Sequence, residues 1–305
     1  MTRPKATSRA RSYAAVALAA GSWGTWGLII RHSEAIAPIP AALQAAIVMG
    51  VISIVSGLAS LRDPASVRRT WKDWSRVALF GVGDVMTVLL FFAAYKLTIA
   101  VAVLTHYMTP VFVALSAPVV LRERMTPRTT LAIAMSFAGL ALMLSRSTGG
   151  DARDVAAMWT SAALGVASAV FYASNVLVNK FLVGAFSTSQ AMFWHGVVAT
   201  ALGLALVPPS SWASVDPRAV AFLSVAALGP GAIGGLAFVW GLRGIPAAHA
   251  STLTLLEPLV SLLLGAAVLG ERIGAPALVG GLLILGGAAL VMMQAPGPAS
   301  DVSRA

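Results

Sequence analysis

The chain has 305 residues, 58% hydrophobic and only 10% charged, with a mean hydropathy of +0.85, against roughly 45–50% apolar and about 25% charged in ordinary soluble domains. So few charges cannot cover a water-facing surface, which excludes a soluble globular protein and makes lipid the solvent for most of the chain. The net charge of +10 is spread as short clusters between apolar runs, a pattern that suits lipid headgroups and not nucleic acid, and the absence of cysteine removes disulfides, thiolate metal sites and cysteine nucleophiles.

In chain order, Arg3, Lys5, Arg9 and Arg11 precede an alanine-rich run that imitates a secretory signal peptide. The run continues through Trp23-Gly24-Thr25-Trp26 to Ile30 and has a counterpart inside the chain, so it is expected to stay in place as a first span. Further apolar stretches follow at Ala41–Leu61, Val77–Tyr95, Ile99–Leu121 and Leu131–Ser145, with only the Lys96 region between the third and fourth spans. Five more are read at Trp159–Val178, Ala191–Val207, Val220–Leu242, Ala247–Leu269 and Pro276–Met293. A crossing takes about 20 residues. The expectation is an all-α polytopic membrane protein of ten transmembrane helices, with short connections and no separate soluble domain.

A single offset of 148 residues brings the two halves into register without gaps. Pro110 falls on Pro258, Leu121-Arg122-Glu123-Arg124 on Leu269-Gly270-Glu271-Arg272, Gly139 on Gly287, and Gly81-Val82-Gly83 on Gly229-Pro230-Gly231. The chain divides into two five-helix repeats, 1–150 and 151–305. An odd number of spans per repeat forces the second copy to enter the membrane from the opposite side, so the repeats are expected to be inverted. With the N-terminus in the cytoplasm, 15 of the 21 Lys and Arg fall on the cytoplasmic side, the distribution that cytoplasmic loops favour. The basic loop Arg68-Arg69-Thr70-Trp71-Lys72 has a counterpart around Asp216-Pro217-Arg218 nearly stripped of charge, as inversion requires.

An inverted repeat buries a pseudo-twofold interface near the bilayer midplane, the usual place of a substrate pathway in secondary transporters. The Pro110 to Glu123-Arg124 and Pro258 to Glu271-Arg272 pairs, with Trp23-Gly24 in the first span, resemble the EamA repeat of the drug/metabolite transporter superfamily over nearly the whole chain. The resemblance implies ten helices, cytoplasmic termini and movement of small organic metabolites, often outward. Met1-Thr2-Arg3, Lys5-Ala6-Thr7, Gly27-Leu28, Arg31, Ser33-Glu34 and Pro38 are further similar to the start of bacterial aromatic amino acid exporters of that superfamily. Transport of amino acids out of the cell across the inner membrane, aromatic ones favoured, is the function this implies. Export of another metabolite or a lipophilic drug is the alternative, and a lipid-modifying membrane enzyme a remote one.

Energy coupling narrows by absence. The four lysines follow Pro4, Trp71, Tyr95 and Asn179, so no phosphate-cradling Gly-Lys-Ser/Thr loop exists. A literal Gly-x-Gly-x-x-Gly at Gly229, Gly231 and Gly234, with Glu257 downstream, lies in an apolar span without βαβ context. Small-residue helix packing explains it better than dinucleotide binding. No cofactor and no metal site are expected, because nothing has metal-binding spacing.

The functional weight falls on ionisable groups inside spans, each costly unless paired or wetted. Asp84 and Glu257 are read either as proton-exchanging groups lining a pathway or as structural carboxylates bonded to a neighbouring helix. Asp84 registers on Ala232 and lacks an obvious cation, which makes it a candidate for a task that one half performs. His106, four residues before Pro110, is a candidate substrate contact beside a carbonyl that Pro110 frees. His195 and His249 are assigned structural places near helix ends. Trp23 and Trp26 share a helix face, as do Tyr172 and Asn175 on the matching helix, and Tyr107 and Trp240 extend this lining for a planar apolar substrate. Packing is the competing role for these rings, and the membrane interface explains Trp71, Trp74, Trp159 and Trp212.

Overall fold

The computed structural model describes residues 6–63, 69–145, 155–270 and 273–293. Met1 to Lys5, Arg68, Glu271 and Arg272 therefore lie outside the described residues. The first half holds α1 (Ala6–Trp23), α2 (Trp26–Ile36), α3 (Ala41–Ser60), α4 (Trp71–Leu97), α5 (Ile99–His106), α6 (Thr109–Val120) and α7 (Pro127–Leu144). The second holds α8 (Val155–Phe181), α9 (Thr188–Ala205), α10 (Pro217–Ala226), α11 (Gly235–Leu242), α12 (Ala247–Leu253), α13 (Leu256–Leu269) and α14 (Ala275–Met292). Eight helical segments are long and apolar enough to cross a membrane, and a ninth if α10 and α11, bent by 43° with the turn Leu228–Gly234 between them, count as one. The remaining expected stretch is α9, 18 residues long, in which Gln190 and His195 dilute the apolar run.

Local chemistry sets the helix starts. Thr70 caps α4 reciprocally with Asp73, and Ser187 caps α9 with Gln190, the arrangement that satisfies otherwise orphaned N–H groups. Thr126 and Asp216 cap α7 and α10, each followed by proline at the first helical position. Gly270 closes α13 at φ +69°, a conformation only glycine adopts without strain. One extended residue, Thr98, separates α4 from α5, so the Lys96 region is a sharp corner.

Four of the expected stretches are interrupted near their middles. The breaks fall at Gly24-Thr25, Tyr107-Met108, Thr254-Leu255 and the π-helical turn Leu228–Gly234. Pro110, Pro230 and Pro258 each lack the N–H that would continue the helix through three of these points. In membranes, such irregular backbone is tolerated only where protein or a wet cavity satisfies it.

Helices pair α7 with α14, α4 with α8, α3 with α9, and α1 with α11. Glycines make these approaches close. A Cβ on Gly139 would stand 2.5 Å from the Gly280 carbonyl, and one on Gly287 2.7 Å from that of Ala132, so α7 and α14 meet backbone to backbone. Gly81 meets the His195 carbonyl in the same way, and Gly234 in the π turn rests on Ser22 and Trp23. The Gly-x-Gly-x-x-Gly run is thus a helix-packing surface. Trp71, Trp159 and Trp212 are exposed at helix ends, whereas Trp74 packs edge-on against Phe186 and Trp194.

Candidate functional site

Asp84 is not isolated. Its Oδ1 accepts from Asn175 Nδ2 at 2.8 Å, and its Oδ2 lies 2.7 Å from His195 Nε2, joining α4, α8 and α9. Asp84 is thus bonded to neighbouring helices, as its structural reading had it, and the placing of His195 near a helix end is corrected. That residue lies well inside α9, fully buried and stacked 4.0 Å from Phe80. His195 Nδ1 faces the Met192 carbonyl at 3.0 Å, which only accepts, so Nδ1 carries hydrogen. The other nitrogen then shares a single proton with Asp84, either as imidazolium and carboxylate or as imidazole and carboxylic acid. Gly83 makes the trio possible, because any Cβ there would collide with Asn175 Oδ1. The Asp84 side chain remains 24% exposed.

Tyr172 connects this trio to a second cluster. One helical turn from Asn175, it lies near both Asp84 and Glu257 and stacks on His106 at 5.7 Å. His106 also meets Tyr107 edge-on at 5.1 Å and Phe91 at 4.5 Å. Ser168 donates to the Thr87 carbonyl at 2.7 Å and therefore accepts from His106 Nδ1 at 2.9 Å, so Nδ1 carries hydrogen. The carbonyl that Pro110 frees is satisfied within the protein. Thr109 Oγ1 takes it at 2.9 Å.

Trp23 is the third element. Its indole donates to the Pro230 carbonyl at 2.9 Å and its ring lies 4.9 Å from Phe238. Trp23 and Trp26 stand on either side of the break at Gly24-Thr25, and both reach the π turn. Trp26 packs among Ile39, Leu43 and Leu223. Trp240 does not extend the lining. Two residues after Phe238, it projects about 200° around the helix from it and is 47% exposed. A groove of about 330 Å³ between α6 and α8, lined by Phe112, Ser116, Val170 and Ser174, lies on the opposite face of α8 from Tyr172 and Asn175.

One end of the bundle is tied by polar contacts between the halves. Glu123 accepts from the Ala247 N–H at 2.7 Å, capping α12, and pairs with Lys180 at 3.2 Å. Lys180 also donates to the Ile245 carbonyl. His249 bridges Tyr13 at 2.6 Å and Thr129 at 3.0 Å. Arg69 bonds the Ala185 carbonyl and Gln190, and Arg243 the Phe186 and Ser187 carbonyls, so these basic groups serve the protein and not headgroups. Burial lowers the Arg243 guanidinium to about 10 against the opposing pull of Asp63, which leaves it charged at neutral pH. Glu123→Gln keeps the cap but strands the mostly buried Lys180 charge, and is expected to cost about 2 kcal/mol. Adding Lys180→Met should recover part of that loss in thermal unfolding, while simple additivity would deny the coupling.

The pairing of His195 with Asp84 is the contact that its assignment to a helix end did not anticipate. By the 148-residue offset His195 registers on Ile47, just as Asp84 registers on Ala232. Two polar groups that break the repeat in apolar company form a pair in space, and that shared asymmetry was visible in the sequence. Phe91 and Phe238 carried no comparable mark.

A family model, described as the EamA-like transporter family, matches residues 10–145 and again 159–293. An uncharacterized transporter of Archaeoglobus fulgidus (strain ATCC 49558 / DSM 4304 / JCM 9628 / NBRC 100126 / VC-16) is 29% identical over 209 residues, 68% of this chain and 72% of the relative. A crystal structure of a protein 21% identical in sequence superposes with a TM-score of 0.77, covering 95% of this chain and 99% of the other, a likeness of fold.

Proposed function

Since the chain belongs to the EamA-like transporter family, a membrane-embedded class that handles small molecules and is not one of enzymes, we propose that it exports small metabolites by alternating access, amino acids above all and aromatic ones preferentially. Ten spans form two inverted five-helix repeats in the bacterial inner membrane, with both termini cytoplasmic. Exchange of the halves supports the inversion. Under the 148-residue offset the Gly139–Gly280 contact becomes Gly287–Ala132, the other close approach of α7 and α14. The pathway runs past Trp23, Asp84, His106, Tyr107, Tyr172, Asn175 and Glu257, with Trp26 at its edge.

The observation that carries this reading is the gathering of a partly exposed carboxylate–imidazole pair and stacked aromatic rings beside mid-span helix breaks. Discontinuous helices of this kind build substrate sites near the midplane, and aromatic faces accept planar apolar groups. Flux in proteoliposomes with a panel of amino acids tests it. Aromatic amino acids should move fastest; movement of lipophilic drugs alone would install the alternative, and lipid turnover without flux would defeat transport. Trp23→Ala and Tyr172→Ala should weaken aromatic substrates more than small aliphatic ones, by about 0.5–1.5 kcal/mol per lost contact. Equal losses for all substrates, with lower thermal stability, would assign both rings to the scaffold.

A further inference from the structure

Among the described residues, Glu257 is a carboxylate without a counter-charge. Asp84 has His195, Glu123 has Lys180, and Asp216 has Arg218. Among the described residues no Lys, Arg or His pairs with Glu257. It stands in the first turn of α13, directly after the break at Thr254-Leu255, and stays partly exposed although Leu255, Pro258 and Leu259 around it are buried. Gly24 brings the break between α1 and α2 against it, since a Cβ on Gly24 would stand 2.8 Å from the Glu257 carbonyl. The Tyr107 and Tyr172 side chains flank its carboxylate, and His106 stacks behind Tyr172.

A mid-span carboxylate with no cation is costly. Tyr107 hydrogen-bonds the carboxylate and Tyr172 lies beside it, so the polar groups at hand are neutral phenols that leave its charge uncompensated and open to a charge-assisted contact. An anion would meet repulsion there, and a neutral molecule would leave the carboxylate without a counter-charge. We propose that Glu257 supplies the counter-charge for an ammonium group on the transported molecule, with Tyr107 and Tyr172 holding the carbon skeleton beside it. The class of substrate is then a primary amine bearing an aromatic or apolar side chain, which an aromatic amino acid satisfies. This inference rests on the exporter reading and deepens it.

Binding to the purified full-length chain in lipid nanodiscs tests the proposal, using L-phenylalanine, phenethylamine and 3-phenylpropionate as probes. Glu257→Gln keeps size and hydrogen bonding but not charge. It should weaken both amines at least about tenfold and leave 3-phenylpropionate unchanged or tighter. Equal binding of the amines by wild type and variant overturns the proposal while the exporter reading stands. If wild type binds none of the three, the aromatic substrate class falls and the proposal with it. Should Glu257→Gln not fold, the same question is put to wild type with N-acetyl-L-phenylalanine. Loss of at least about tenfold on acetylation supports the ammonium contact, and unchanged affinity overturns it.

Discussion

Asp84→Ala is expected to destabilise the protein by about 3 kcal/mol. It removes the acceptor for Asn175 Nδ2 and leaves the fully buried His195 without its partner, and breaking one side of a buried pair costs far more than the pair's net worth. Asp84→Asn behaves differently. Its carbonyl still accepts from Asn175 and its amide donates to the neutral Nε2 of His195, so every hydrogen bond survives and only the shared proton is gone. The groups facing it, His195 on α9 with Asn175 and Tyr172 on α8, offer no substitute carboxylate. The Asn variant should therefore fold with a near-native melting temperature and transport more slowly than wild type, because the proton that Asp84 and His195 share is gone. An unchanged transport rate would dismiss the shared proton from the transport cycle. A collapse of stability in the Asn variant would make the trio structural.

Gly280→Val should disrupt the α7–α14 pairing, with a cost of about 3 kcal/mol. The added Cβ would stand 2.8 Å from the Met143 amide nitrogen and nearer still to the Gly139 carbonyl. Both obstacles are backbone, so no rotamer change relieves them, and the helices must move apart along a seam where small residues supply the packing that hydrophobic burial cannot supply in lipid. Gly229→Ala is the control. Nothing lies within 4 Å of a Cβ built there, so its effect should stay within about 0.5 kcal/mol. Thermal unfolding followed by fluorescence-detected size exclusion separates the two. Equal melting temperatures for Gly280→Val and wild type would refute the close seam.

The class of molecule was legible from the first lines of the sequence because the bilayer is an exacting solvent. Long apolar runs with few charges have one use, and spanning them as helices satisfies every backbone group internally. Repetition at 148 residues was equally plain, since Pro110 and Pro258 with their trailing Glu-Arg pairs leave little room for chance. Composition also placed Trp71, Trp159 and Trp212 at helix ends, where the structure exposes them. What hydropathy missed were the mid-span breaks, because a kinked apolar helix reads the same as a straight one. Pro110, Pro230 and Pro258 hinted at three of them; the break at Gly24-Thr25 has no proline to announce it.

By itself, then, the sequence determined solvent, fold class, repeat and the short roster of polar residues worth attention. Tertiary structure alone decided their partners. Asp84 and His195 are 111 positions apart, and nothing local to either says that α4, α8 and α9 converge. The same is true of Glu123 reaching Ala247, and of Trp240 turning away from Trp23. Hydropathy sums over a window and is blind to azimuth, whereas pairing depends on which side of a helix a residue occupies and on whether glycines let two backbones approach. Glu257 needed both kinds of information. The sequence marked it as an acid inside a span, and only the fold placed it beside tyrosines with no cation at hand among the described residues.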